Sequence, residues 1–232
     1  MMRIVLDIDD TLYLERDYVR SGFMAVDAWL FSACGAGGFF ERAWNYFTMG
    51  RRGDIFNQVI RDIDIDENEW VAKMVAEYRT HDPEIQLIPD AVSFLNRYAP
   101  SELAVISDGH SVSQWAKVRR LNLEPKVGNI IITGDWGTEY WKPHHRAFET
   151  VQQGCLPQAC VYIADNPLKD FLAPATLGWR TSIRIRRPGS LHEAVPTPDN
   201  CIEVATLDEA GKVLNCEYGK FIKENVRHEE NG

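Results

Sequence analysis

Two aspartates with one residue between them, Asp7 and Asp9, stand directly after a short apolar run, Arg3 to Leu6. Carboxylates so spaced at a strand's end can both face the mouth of a sheet once the chain leaves regular pleating. One can then attack an electrophile such as phosphorus while the other handles the proton of the leaving group. A solvated acidic turn has the same composition, so the pair alone does not decide. Three further motifs follow later apolar runs. Ser107-Asp108-Gly109 offers a hydroxyl and the backbone N–H groups of a Gly-containing turn, a way to hold phosphate oxygens. Taken alone, it reads as an ordinary turn or helix N-cap. Lys142-Pro143 supplies a cation that would offset the charge of a nucleophile and a phosphate, although a lone Lys-Pro is usually a surface turn. Asp165-Asn166-Pro167, with Asp170 close behind, provides the hard oxygen donors that magnesium prefers. The alternative is a helix start, with Asp170 as first-turn charge compensation.

Positioning these motifs is a matter of strands. Arg3 to Leu6, Leu103 to Ile106, Asn129 to Thr133 and Cys160 to Ala164 are apolar almost throughout, as strands of a parallel sheet covered on both faces are. Arg180 to Ile185 alternates polar and apolar residues and is placed nearer an edge. Helical periodicity falls between them. Asp90 to Tyr98 groups Ala91, Phe94, Leu95 and Tyr98, Val112 to Leu121 groups Val112, Trp115, Val118 and Leu121, and His145 to Gln152 offers Phe148 and Val151. Strands alternating with helices predict βαβ units and a Rossmann-like α/β sheet, with ligands at the C-terminal ends of the strands. The stretch 15–85 interrupts this alternation. It reads as helical over Ser21 to Ser32, Phe39 to Phe47, Asp54 to Ile63 and Glu67 to Arg79, with Gly35, Gly37 and Gly38 as breakers. The expected organisation is a core domain of residues 1–14 and 86–232 with an inserted helical cap of residues 15–85. The charged tail from Tyr218 to Gly232 is expected to fray.

In their order, Asp-x-Asp-x-Thr, Ser, Lys-Pro and Asp…Asp, each at a strand's end, the motifs resemble the haloacid dehalogenase superfamily. The stretches LDIDDTL, VISDGHSVSQWAKVRRLNL, YWKPHHRAFE and YIADNPLKDFLAPATLGWRT carry the likeness. The resemblance implies a magnesium-dependent phosphatase with a C1 cap. Asp7 would be the nucleophile that forms an aspartyl-phosphate, and Asp9 the general acid and base. Thr11 and Ser107, with the backbone amides of Asp108 and Gly109, would bind the phosphoryl group. Lys142 would anchor nucleophile and phosphate. Asp7, the Asp9 carbonyl and Asp165 would ligate Mg2+, supported by Asp170. The family's dehalogenases lack the acid two residues after the nucleophile and use no metal, so Asp9 favours phosphoryl chemistry. Ala164 stands where glycine is more usual, and as a small residue it is expected to have little effect.

Substrate choice falls to the insert, where the sequence is less informative. A lid that excludes water favours small metabolites such as sugar phosphates, sugar-acid phosphates or nucleotides. Tyr13, Glu15 and Arg16 are candidates for the entrance. Arg51 and Arg52 are candidates for a second anionic group, or else a solvated inter-helix turn. His110 is a candidate for the leaving group, or else a capping or surface histidine. The cap aromatics Phe23, Trp29, Phe31, Phe39, Phe40, Trp44, Tyr46 and Phe47 read as cap core.

Composition limits the alternatives. Of 232 residues, 45 % are hydrophobic and the formal net charge is −9, which argues against a phosphate-neutralising nucleic-acid face. The cluster of Arg180, Arg184, Arg186 and Arg187 reads as a surface or subunit contact. Five cysteines with no CxxC pair suit a reducing compartment. No signal peptide is read at the N-terminus, and no run approaches the ~18 apolar residues of a membrane span. The expectation is a cytoplasmic monomer or homodimer that binds a small phosphorylated substrate, with no nucleic acid and no membrane. The rival readings are a phosphomutase, a non-catalytic binding module and a nucleic-acid end phosphatase.

Overall fold

The computed structural model describes residues 2–63, 65 and 67–216; the charged segment from Tyr218 to Gly232 lies outside them. Two compact units are present. One comprises Met1–Glu15, Gln86–Gly109 and Asn122–Gly232, the other Arg16–Ile85 and His110–Leu121. The second thus takes in a segment after the second motif as well as the insert.

The first unit is built on a parallel sheet. Its strands are β1 (Arg3–Leu6), β2 (Leu103–Ser107), β3 (Asn129–Ile132), β4 (Cys160–Ala164), β5 (Thr181–Ile185) and β6 (Cys201–Val204), in the order β3-β2-β1-β4-β5-β6. Every residue of β2 and β4 is buried, which explains their apolar runs: helices leave neither face to water. β5 is buried throughout as well, although it alternates polar and apolar residues. The chain lays β2 and β3 on one side of β1, then returns to place β4 on the other. That reversal puts a topological switch point between β1 and β4, and at such a point ligands bind beyond the carboxyl ends of the strands.

β5 lies near an edge, second from it. It pairs with β4 on one side and with β6 on the other. β6 gave no clear sequence signal because two of its four residues, Ile202 and Glu203, face solvent. β5 also corrects the reading of the arginine cluster. Arg184 and Arg187 are buried, and only Arg186 of that strand end is partly open.

Helices of this unit are α5 (Pro89–Arg97), α7 (Arg146–Gln152), α8 (Leu172–Thr176) and a last helix over 207–216. Pro89 opens α5, where its missing N–H costs nothing and its fixed φ suits the first turn. Behind β4, Phe148 of α7 meets Tyr162 edge-on at 5.0 Å and Trp179 at 5.5 Å between ring centroids.

The second unit contains α1 (Glu15–Cys34), α2 (Phe39–Thr48), α3 (Ile55–Asp62), α4 (Glu67–Thr80) and α6 (Ser111–Arg120). Phe23 lies at its centre, with Phe39, Phe56 and Tyr78 each at 5.9 Å. α1 comes so close to Tyr78 that a Cβ on Gly22 would lie 2.4 Å from that ring. Asp27 of α1 accepts the N–H groups of Phe39 and Phe40 at 2.7 and 3.2 Å, satisfying orphan donors at the start of α2. Of the aromatics read as cap core, Phe23, Phe39 and Phe47 are buried, whereas Phe31 is 64 % exposed. On α6 the buried face carries Ser113, Gln114, Lys117 and Val118, while Val112 is exposed. Lys117 is buried because its ammonium lies 4.2 Å from the Tyr18 ring centroid, a partner that periodicity does not reveal. Among the described residues no helix is long and apolar enough to cross a membrane.

Candidate active site

At the end of β1 the Asp7 amide still bonds the Ile163 carbonyl at 3.0 Å, so the first aspartate is held by the sheet itself. The chain then turns sharply. Leu12 N bonds the Ile8 carbonyl at 2.9 Å, and Asp10 takes a left-handed φ of 51°. The Asp10 carboxylate secures the turn by accepting Glu15 N–H at 2.8 Å and Leu191 N–H at 2.7 Å. Burial pushes its pKa up to about 6 against those two bonds. Asp9, at the tip, is partly open, and its carboxylate accepts the hydroxyl of the fully buried Tyr13. Tyr13 is thus a support for Asp9 rather than a wall of an open entrance.

Lys142 gathers the acidic residues. Its ammonium lies 3.0 Å from Asp7 Oδ2, 2.8 Å from Asp170 Oδ1 and 3.0 Å from the Tyr162 hydroxyl. The Tyr162 contact is a hydrogen bond, and the two aspartate contacts are ion pairs. Asp7 Oδ1 meanwhile accepts Ile8 N–H at 2.8 Å, so both its carboxylate oxygens are oriented. Asp170 Oδ2 accepts Asn166 N–H at 3.0 Å. One carboxylate oxygen from each of Asp7, Asp165 and Asp170 lies within 4.8 Å of the others, and all three residues are buried.

Charge in this cluster is unbalanced. Burial lifts Asp7 to about 7 even though Lys142 pulls it down, and burial together with Asp170 and Asp7 lifts Asp165 to about 10. Burial alone would lower Lys142, but Asp170 and Asp7 outweigh it and hold the ammonium well above its ordinary value. One lysine cannot neutralise three buried carboxylates. Oxygen donors with surplus negative charge suit a hard divalent cation, so the residues fit magnesium.

The second motif divides its labour. Ser107 Oγ is buried without a hydrogen-bond partner, as is Thr11 Oγ1 from the first turn. The Asp108 side chain is an organiser. It accepts Thr133 Oγ1–H at 2.8 Å and Lys142 N–H at 3.1 Å, and pairs with Lys169 Nζ at 2.7 Å. Burial would raise its pKa, but Lys142 and Lys169 outweigh that and keep it below its ordinary value. Gly109 has a φ of 139°, a conformation that side chains rarely adopt.

Thr133, Tyr162 and Lys169 were not picked out from the sequence. Thr133 and Tyr162 sit inside or beside apolar strands, where a polar atom has no signature until its partner is known. Lys169 has a weak one, lying between Asp165 and Asp170.

The proposed substrate residues of the helical unit have partners there. Arg51 makes a two-pronged pair with Asp54, at 3.0 Å for each bond, over the Tyr46 ring. Arg52 stacks on Phe47 at 4.1 Å and bonds the Phe47 carbonyl at 2.8 Å. Arg16 lies 6.0 Å from the Trp44 ring centroid. His110 is exposed at the N-cap of α6 and makes no side-chain cap bond.

A family model described as haloacid dehalogenase-like hydrolase matches residues 4–183. A glyceraldehyde 3-phosphate phosphatase of Methanopyrus kandleri is 29 % identical over 168 residues, 69 % of this chain and 70 % of that one. An enzyme of the same name from Pyrococcus furiosus is 25 % identical over 132 residues, so the match spans about half of each chain, 54 %. Among solved structures, YfnB of Bacillus subtilis, crystallised bound to magnesium, superposes with a TM-score of 0.65 at 17 % identity, covering 92 % of this chain and 99 % of that one. With the matched segment running from β1 into β5 and the relatives named as phosphatases, the chain belongs to the haloacid dehalogenase-like hydrolase family and is an enzyme of its phosphatase type.

Proposed function

We propose that this enzyme is a magnesium-dependent phosphomonoesterase that works through an aspartyl-phosphate on Asp7 and acts on a small phosphorylated metabolite. The observation that carries the reading is the buried trio of Asp7, Asp165 and Asp170 drawn together at Lys142, with Asp9 on the same turn. Asp7, the Asp9 carbonyl and Asp165 would hold Mg2+, with Asp170 in support. Bound there, the ion would neutralise charge on the phosphoryl oxygens.

The chain's own residues account for the rest. A carboxylate oxygen of Asp7 forms a bond to phosphorus. The bond to the leaving oxygen breaks, its electron pair stays on that oxygen, and Asp9 supplies the proton. Water then attacks phosphorus, the Asp9 carboxylate takes its proton, and the bond to Asp7 breaks with the electrons returning to the carboxylate. Lys142 offsets the charge on Asp7 and on the phosphoryl group throughout. The unpartnered hydroxyls of Thr11 and Ser107 are donors without another use, and buried groups of that kind call for a ligand. With the amides of Asp108 and Gly109 they would hold the phosphoryl oxygens. Tyr13 fixes the Asp9 carboxylate so that it can both give and take a proton.

The helical insert, by its place between the first two motifs, would serve as the cap that chooses the substrate. The relatives named above act by name on glyceraldehyde 3-phosphate, which puts triose phosphates and other short sugar phosphates first in line. The test is phosphate release across triose, sugar and sugar-acid phosphates and nucleotides. It is run with Mg2+, with EDTA, and with Asp7→Asn as the blank. Release from one chemical class, lost in both controls, is expected. Folded, magnesium-loaded protein that releases no phosphate from any of them would overturn the reading.

A further inference from the structure

The arginines that crowd into the end of β5 have no part in the chemistry above, yet one of them holds the backbone of a site residue. Arg184 is fully buried, at 0 % exposure, and stands in register with Ala164, the last residue of β4. Its Nε–H donates to the backbone carbonyl of Asp165 at 3.1 Å. The rest of the guanidinium holds the segment beyond β5. Nη1 donates to the Val195 carbonyl at 2.5 Å and to Thr197 Oγ1 at 2.7 Å, and Nη2 donates to the His192 carbonyl at 2.7 Å. Thr197 Oγ1–H in turn donates a hydrogen bond to Glu203, whose carboxylate lies 4.0 Å from Arg184 and supplies the opposite charge.

We propose that Arg184 is a positioning residue, which sets the Asp165 carboxylate for a divalent cation by holding the Asp165 carbonyl. The proposal rests on the metal-dependent reading of the site. Asp165 lies beyond the last register pair of β4 and β5, so its carbonyl needs a donor from elsewhere. Arg184 provides it and thereby restrains the peptide that follows the Asp165 Cα, from which the carboxylate projects. A small magnesium ion demands near-ideal geometry, so a ligand whose backbone can rock is a poor ligand. Lysine could not do the same work. Its ammonium is a single point, whereas the planar guanidinium reaches the Asp165 carbonyl with one edge and the 192–197 segment with another. A buried cation is also a weak source of stability, which leaves position as the better account of its presence.

Titration calorimetry with Mg2+ on the metal-free full chain tests this, with circular dichroism to confirm the fold. Wild type and Asp165→Asn come first. If the wild type takes up no Mg2+ that Asp165→Asn loses, the metal reading itself fails and the clamp falls with it. If the wild type binds, Arg184→Lys should raise the dissociation constant about tenfold or more, as loss of outer-shell support typically does. Its KM for substrate at saturating Mg2+ should stay unchanged. A folded Arg184→Lys that binds Mg2+ as the wild type does would overturn the proposal, even with a lowered melting temperature. If Arg184→Lys does not fold, Thr197→Val carries the same test. It removes one anchor of the guanidinium, and a weaker Mg2+ affinity supports the clamp while an unchanged one overturns it.

Discussion

Lys142 is the residue on which the site's electrostatics turn, because its ammonium lies within 3.0 Å of oxygens on three different side chains in a place closed to water. Asp7→Asn keeps the shape of the nucleophile but removes its charge and its lone-pair reactivity. Turnover should fall by about 10^3-fold or more, measured as phosphate release, while the fold is retained. Tyr162→Phe is subtler. It takes away one acceptor and leaves an ammonium N–H unpaired in a fully buried setting. That should cost about 1–3 kcal/mol in urea unfolding, and kcat should fall more than KM rises. A Tyr162→Phe enzyme as stable and as fast as wild type would mean the hydroxyl is idle. None of this could be read from the place of Tyr162 in the sequence, since a tyrosine in a buried strand is usually packing.

Elements converge on the site through loops, and buried side chains tie those loops down. Arg187, just past β5, pairs with Asp90 at the start of α5 at 2.8 Å and donates to the Thr11 carbonyl at 3.2 Å. Arg187→Met would leave Asp90 without its cation and free the turn that carries Thr11. The expected loss is about 3 kcal/mol of stability, read by urea denaturation and accompanied by lower turnover. In the helical unit, His81 follows α4 and links α1 to the returning chain. Its Nδ1–H faces the Tyr78 carbonyl at 2.7 Å, which leaves Nε2 to accept from Ser21 Oγ at 2.7 Å, and Ser21 Oγ accepts Glu84 N–H at 3.0 Å. Burial lowers the pKa of His81, with Lys117 acting the same way and the Tyr78 carbonyl, Asp82 and Glu77 opposing. The unfolded chain therefore takes up that proton first as pH falls below about 6.5, and stability declines there. His81→Gln should flatten the melting temperature profile between about pH 7 and pH 5; an unchanged slope would discount the histidine.

For the whole molecule, the surplus of buried negative charge predicts that metal and stability are linked. Mg2+ at a hundredfold excess over its dissociation constant should add about 2.7 kcal/mol, seen as a raised melting temperature that EDTA reverses and Asp165→Asn lacks. Two kinds of information meet in that prediction. The sequence by itself determined the α/β core and the residues that end its strands, because strands buried on both faces must be apolar at nearly every position. Polar residues at their ends, from Asp7 to Asp165, therefore stand out. It also determined that the stretch 15–85 is helical, through periodicity. Only the tertiary structure decided where the remaining polar groups go. β6 is half exposed and so left no apolar run, Arg184 and Arg187 looked like surface charge, and Asp108 was read for its backbone amide and not for its side chain. Each was hidden for the same physical reason. A buried polar side chain is tolerable only with its partners, and those partners lie far away along the chain.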